Sequence, residues 1–141
     1  MQRIVASIQL GAKTGADACR LFHGRGQSYP GLGFVSVDWF SPVLLISLYK
    51  EPGVEWLAQF RDEISQFDDH CDIDNIILQH RYLQGAPSES LKGNIAGDYY
   101  AVEKGLKFRL NFKANQNVGF FLDMAECRQV LRESVKGNSV L

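Results

Sequence analysis

The strictest alternation of apolar and polar positions runs from Leu106 to Phe112. Leu106, Phe108, Leu110 and Phe112 share one side, while Lys107, Arg109 and Asn111 share the other. A period of two predicts a half-buried strand. Gln116, Asn117 and Gly119 interrupt it, an apolar plug Phe120-Phe121-Leu122 follows, and Asp123 stands three residues ahead of Glu126. Asp-x-x-Glu before a helical pattern predicts a capped helix, with Cys127, Val130, Leu131 and Val135 as its buried stripe and Gly137 as its C′ residue. Tyr99 to Val102 reads as the preceding strand, turned back by Glu103-Lys104-Gly105 as a short hairpin.

Upstream, Ile4, Ala6, Ile8 and Leu10 alternate with Arg3, Val5, Ser7 and Gln9, which predicts a short strand or extended arm. Ala16 to Phe22 fits a short helix, ended by Gly24 and Gly26. Leu32 to Phe40 and Pro42 to Lys50 form a hairpin about Ser41-Pro42, with Val35, Val37 and Trp39 facing away from Phe34, Ser36 and Asp38. The nearly continuous apolar run from Val43 to Leu48 suits a central strand covered on both faces. Glu51-Pro52-Gly53 opens a helix with Pro52 in its first turn, and Leu57, Phe60, Ile64 and Phe67 recur at steps of three and four. Asn75 to Arg81 reads as another core strand, so strand, helix and strand make a parallel crossover. Gln84 to Gly97 is polar and rich in Gly, Ser and Ala, as expected of a mobile surface loop. The fold class that follows is α+β: a mixed, largely antiparallel sheet of about five strands with two to three helices, in the order β-hairpin, helix, strand, β-hairpin, helix.

A chain of 141 residues suffices for one domain with its own core. Charged residues make up 22% and the net charge is −1, which argues against a general nucleic-acid coat. The charge is unevenly placed: Glu51 to Asp74 holds eight acidic residues and one Arg, whereas Lys104, Lys107, Arg109 and Lys113 cluster around the alternating strand. Cys19, Cys71 and Cys127 have neither paired nor zinc-finger spacing, so no disulfide framework or structural zinc site is expected. No apolar run reaches the length of a membrane span and Met1-Gln2-Arg3 opens no signal peptide, which makes cytoplasmic residence, away from any membrane, the expectation. Asp68-Asp69-His70-Cys71-Asp72-Ile73-Asp74 invites a metal reading, but it lacks the glycine-centred spacing of a calcium loop and a second ligand pair for zinc. An acidic loop after a helix is the plainer alternative, and no metal is expected.

Two stretches resemble the ribosomal-RNA type of class I S-adenosylmethionine-dependent methyltransferases. One is Leu-Phe-His-Gly-Arg-Gly with its Tyr-Pro-Gly-Leu tail, residues 21–32; the other is Glu103 to Arg128, reading E-x-G-L-K-F, then Q-N-x-G-F-F-L-D-M and a helix with an early Arg. Two departures are Val118, where the pattern usually has Thr, and Ala125, where an Arg commonly follows Asp-Met. The resemblance implies that residues 1–137 form an N-terminal, substrate-side α+β domain and that residues 138–141 begin the first strand of a Rossmann-like cofactor domain outside this chain. It further implies that Gln116, Asn117, Gly119, Phe120, Phe121, Asp123 and Arg128 cover the S-adenosylmethionine pocket of the parent protein, with catalytic residues elsewhere and no cofactor held by these residues alone.

The implied partner is RNA, ribosomal in this family. His23 and Arg25 face phosphate or base in that reading, and Lys107, Arg109 and Lys113 supply a basic face, since guanidinium forks suit phosphate and glycines admit close backbone approach. The structural alternatives are a tight Gly-x-Gly turn whose Arg pairs locally, and an aromatic pair Phe120-Phe121 that fills core rather than lining a cofactor wall. Two rival functions stand beside the methyltransferase domain: a stand-alone RNA- or protein-binding module without catalysis, and a small metal-dependent enzyme centred on Asp68 to Asp74.

Overall fold

Strand β3 (Val43–Leu48) is buried at every position, and the whole fold is the means of covering both of its faces. The computed structural model describes residues 1–12, 15, 17–26, 28–67, 73–94, 96–113 and 117–137. Five strands form a mixed sheet in the order β1-β2-β3-β4-β5, namely β1 (Cys19–His23), β2 (Val35–Phe40), β3, β4 (Asn75–His80) and β5 (Ser88–Lys92). The β2–β3 hairpin turns at Ser41-Pro42 as expected, and β3–β4 is the parallel pair made by the helical crossover α2 (Val54–Ser65). The other pairings are antiparallel. A second, two-stranded sheet pairs β6 (Tyr99–Glu103) with β7 (Leu106–Leu110) through a turn in which Lys104 and Gly105 both have positive φ, the geometry that two-residue hairpin loops favour. The molecule is thus α+β, with three helices among the described residues.

One face of the large sheet carries Val35, Val37, Trp39, Leu44, Ile46, Leu48, Ile76 and Leu78, and it is covered by Ile4 and Ile8 of helix α1 (Gln2–Gly11) and by Phe60 and Ile64 of α2. The other face carries Phe40, Val43, Leu45 and Ile77 under Ala101, Leu110, Phe112, Val118 and Phe120. The alternating stretch Leu106 to Phe112 does supply this second cover, with Leu110 and Phe112 buried and Leu106 left at its exposed end.

Several expectations are corrected. Residues 2–11 are helical, not extended: Ile4 and Ile8 lie four apart, a spacing that satisfies both periods, and packing them together against β1 and β2 selects the helix. Of the helix expected over 16–22, residues 19–22 lie instead in strand β1, because Cys19, Arg20, Phe22 and His23 pair with β2, and Ala16 falls outside the described residues. Within the expected surface loop 84–97, Ser88–Lys92 forms edge strand β5, whose Glu89 is held by Arg61 at 2.5 Å and His80 at 2.7 Å. Pro52 precedes the N-cap Gly53 rather than entering the first turn of α2. The last helix, α3 (Ala125–Ser134), follows a 3-10 turn at Leu122–Met124 and has no side-chain cap, so the Asp123 box is not formed. Its C-cap is Val135, and Gly137, at φ +86°, lies one position beyond C′. The expected buried stripe of α3 is not buried: Val130 is 64% and Leu131 61% exposed, and Cys127 also faces solvent. The acidic stretch Asp68 to Asp72 falls outside the described residues.

Gly24 opens a 3-10 turn at Gly24–Gly26, where β1 gives way to the loop before β2. A Cβ there collides with the Leu32 carbonyl oxygen and comes within 2.8 Å of the Val35 carbonyl oxygen, both backbone atoms, whereas a Cβ on Gly26 meets nothing closer than 3.8 Å. Gly24→Ala should therefore cost roughly 1–3 kcal/mol of stability by overpacking, and Gly26→Ala should cost little. Urea unfolding of the two variants side by side checks this, and equal midpoints would show that the close approach is not needed.

Candidate functional site

The segment from Asn117 to Asp123 is pinned from three directions. Its backbone is tied to β7 by the Asn111 N–H donating to the Val118 carbonyl at 2.9 Å, and Gly119, at φ +94°, lets it pass the Arg109 carbonyl. Phe120 enters the second core, its ring centroid 6.3 Å from Phe40 and 4.9 Å from Phe108. Phe121 points the other way and is 54% exposed, so the aromatic pair is divided between core and surface. The third tie is Arg128. Its Nε and Nη2 donate to the two carboxylate oxygens of Glu103 at 2.8 and 2.7 Å, its Nη1 donates to the Phe121 carbonyl at 2.8 Å, and its guanidinium lies 4.2 Å from the Phe120 ring centroid. The hydrogen bonds from Arg128 hold the Glu103 carboxyl below its ordinary value, against the opposing effect of burial.

Between this segment and the second face of the large sheet lies a cleft of about 320 Å³, lined by Arg20, Asp38, Phe40, Leu45, Ser47, Gln79 and Arg81 on the sheet side and by residues 117–118 and 120–123 opposite. Along the strands this face changes character. The apolar end, Phe40, Val43, Leu45 and Ile77, is plugged by Phe120, while the next positions on the same face are Ser36, Asp38, Ser47 and Gln79, all buried. Register places Ser36 opposite Ser47 and Ser47 opposite Gln79, so the polar groups form one row across three strands. The Ser36 hydroxyl has no hydrogen-bond partner among the described residues. Asp38 meets Arg20 at 2.7 Å. Burial raises the Asp38 carboxyl above its ordinary value, and that effect exceeds the opposing pull of Arg20, His23 and Arg81.

The carboxyl ends of the parallel strands β3 and β4 lie beside the end of β1. There the Arg25 guanidinium sits 4.5 Å and that of Arg81 5.1 Å from the Tyr49 ring centroid, and Arg81 Nη1 is 3.4 Å from the Tyr49 hydroxyl. The five residues expected to face RNA thus divide into two groups. His23 and Arg25 belong to this sheet end, whereas Lys107, Arg109 and Lys113 are exposed on and after β7. Arg109 meets Asp98 at 2.7 Å. A groove of about 610 Å³ contains Arg109, Lys113, Gly119 and Asn117, and Asn117 also borders the cleft, so it forms a ridge between the two concavities. Gln116 lies outside the described residues. The polar row Ser36-Ser47-Gln79, with Asp38, Arg20 and Arg81 beside it, was not anticipated; its signal is one polar residue at the matching register of each of three successive apolar strands.

The arrangement of sheet, helices and plug recurs in solved proteins described as methyltransferases. Two solved structures share the fold: a candidate SAM-dependent methyltransferase from Streptococcus mutans, at TM-score 0.65 and 22% identity over 92% of this chain and 35% of that one, and a candidate methyltransferase complexed with SAH, at TM-score 0.65 and 24% identity over 92% of this chain and 33% of that one. The sequence model of the S-adenosylmethionine-dependent methyltransferases matches residues 19–141, and the chain belongs to that family. Curated relatives include a ribosomal RNA large subunit methyltransferase from Deinococcus radiodurans, 28% identical over 89% of this chain and 31% of the relative. Another is the candidate ribosomal RNA large subunit methyltransferase YwbD of Bacillus subtilis, 27% identical over 88% of this chain and 32% of the relative. The chain therefore spans about a third of the length of these relatives.

Arg128→Ala removes two charge-assisted bonds to Glu103 and the anchor on Phe121, and should cost about 1.5–3 kcal/mol at neutral pH. Because the folded-state pKa of Glu103 is depressed, the stability from this pair is fully present above the ordinary carboxylate range and is lost as pH falls through the lowered value. Thermal melts from neutral to acid pH should accordingly show a shallower acid decline for Glu103→Gln than for the wild type. Parallel declines would mean that the pair carries no such linkage.

Proposed function

We propose that the chain is the N-terminal, substrate-side domain of an S-adenosylmethionine-dependent RNA methyltransferase that modifies a base of ribosomal RNA. The observation that carries this reading is the family match over residues 19–141, joined to relatives whose names specify the large-subunit ribosomal RNA. In this division of labour the present residues position RNA and cover the cofactor pocket, and a Rossmann-like cofactor domain, into which residues 138–141 lead, holds the catalytic groups. When bound there, S-adenosylmethionine supplies an electrophilic methyl group.

The exposed surface of the plug suits that cover. Phe121 and Met124 are large apolar side chains facing solvent, as are Val130 and Leu131 of α3. Patches of this kind mark places where another surface packs. Asn117, Gly119 and Asp123 are exposed beside them, so amide, backbone and carboxylate groups are at hand for a polar ligand, with Gln116 preceding them in sequence. Phe120 and Arg128 serve the same cover from below, by fixing where Phe121 projects.

RNA is held in this reading by Lys107, Arg109 and Lys113, with His23 and Arg25 as a second contact. The Arg109–Asp98 pair is exposed on both sides; such pairs contribute little, so Arg109 can exchange its carboxylate for a phosphate. Lys107→Glu with Arg109→Glu should lower affinity for single-stranded ribosomal RNA fragments and reduce the slope of log affinity against log salt by about 1.4, two phosphates at about 0.7 each. Titrations at several salt concentrations check this, and unchanged affinity and slope would remove the hairpin face from the RNA path. The 141 residues alone should transfer no methyl group from labelled S-adenosylmethionine to RNA; transfer by this chain would overturn the assignment of catalysis to another domain.

A further inference from the structure

Four arginines of the domain are engaged with a carboxylate: Arg20 with Asp38, Arg61 with Glu89, Arg109 with Asp98 and Arg128 with Glu103. Arg25 and Arg81 differ. Among the described residues neither forms an ion pair; instead both guanidinium groups rest over the ring of Tyr49, at 4.5 and 5.1 Å from its centroid. They reach it from sequence-distant places. Arg25 comes from the turn after β1, whereas Arg81 directly follows β4, with its backbone N–H on the Leu48 carbonyl at 2.8 Å. Tyr49 itself is fixed by its N–H on the Phe34 carbonyl at 2.8 Å. Two like charges brought onto one ring repel each other, and the ring's negative face offsets only part of that cost. An anion reached by both guanidinium groups relieves it.

We propose that Arg25 and Arg81, aligned on Tyr49, form a clamp for one backbone phosphate of single-stranded RNA at the mouth of the cleft, with the attached nucleotide directed toward the polar row behind it. This rests on the RNA reading above. The geometry specifies it further in three ways. Arg81 lines the cleft, and its charge acts on Asp38 within it, so one arm of the clamp belongs to the cleft itself. Asp38 does not oppose a phosphate strongly, because its carboxylate is bonded by Arg20 at 2.7 Å. Beyond the clamp, Ser47 and Gln79 line the cleft and Ser36, whose hydroxyl lacks a partner among the described residues, stands opposite Ser47. These are the neutral donors and acceptors that hydrogen-bond a sugar or a base edge. Guanidinium groups held against an aromatic ring offer several N–H donors to a tetrahedral oxyanion, and the site lies outside the carboxyl ends of β3 and β4, where open sheets gather ligands.

The test is fluorescence titration of the whole chain with a labelled single-stranded RNA oligonucleotide at several salt concentrations, for wild type, Arg25→Gln/Arg81→Gln, Tyr49→Phe and Tyr49→Leu, with circular dichroism melts confirming that each variant is folded. The double variant should bind about 10-fold more weakly or worse, with the salt slope reduced by about 0.7, the value for one phosphate. Tyr49→Phe, which keeps the ring, should bind like wild type, and Tyr49→Leu should resemble the double variant. If wild type binds RNA and the double variant binds equally well, the clamp is wrong while the RNA reading stands. If wild type binds no RNA, the RNA reading falls and the clamp with it. Saturable binding of inorganic phosphate without RNA binding overturns the proposal, as does a slope reduction twice as large, which assigns each arginine its own phosphate.

Discussion

Burial of β3 on both sides is the constraint from which the site arises. A strand whose six residues are all inaccessible must have two covers, and the chain supplies them by different means. Helices α1 and α2 close one face completely. On the other, the β6–β7 hairpin and Phe120 cover only the end that carries Phe40, Val43, Leu45 and Ile77. The remaining length of that face is polar, and polar groups cannot be sealed under an apolar cover without a hydrogen-bond cost. A cleft between sheet and plug satisfies both conditions: apolar residues under the plug, polar residues beside open space. The cleft is thus what remains when a half-apolar face receives a half-length cover.

Placement of the plug depends in turn on one charged pair. Phe120 stays in the core and Phe121 at the surface because Arg128 grips Glu103 with two nitrogens, the Phe121 carbonyl with a third, and lies against the Phe120 ring. The Arg20–Asp38 pair on the opposite wall works under different electrostatics. In the first pair hydrogen bonding dominates and the carboxylate is favoured; in the second, burial dominates and the charged form of Asp38 is disfavoured. The two carboxyls therefore contribute to stability with opposite dependence on pH, since stability from a depressed carboxyl disappears on acidification whereas a raised one loses stability as pH rises through its shifted value.

Elements with a single dominant period were legible from the residues alone. Strand β2, α2 and the final hairpin carry such a period, and β3 and β4 stand out as short, nearly continuous apolar runs. The missed elements share a different property. Ile4 and Ile8 satisfy two periods at once, and only the sheet beneath them chooses the helix. Strands β1 and β5 lie at the sheet's edges, where Arg20 finds Asp38 and Glu89 finds Arg61 and His80 across long sequence separations; edge strands carry polar side chains and so resemble loops. The candidate site was half legible. The plug and its Arg stood out as a contiguous motif, whereas Ser36, Ser47 and Gln79 are polar residues scattered through apolar strands, and register alone gathers them into one row.

Helix α3 shows why periodicity and burial are separate facts. Its apolar residues recur at helical spacing, and from spacing alone Val130 and Leu131 belong in a core. A hydrophobic stripe reports which side of a helix avoids water, but not whether this domain owns the surface that covers it. Here the domain's two cores are filled without α3: the second is complete with Phe120 and Leu122 at its edge, and no residue of α3 is buried. What the helix contributes inward is Arg128, a charged side chain, while Val130 and Leu131 are exposed. Helix α3 therefore holds to this domain through the Arg128 bonds to Glu103 and Phe121, while Val130 and Leu131 stay in solvent, so its attachment rests on charge and hydrogen bonds rather than on burial of its apolar stripe.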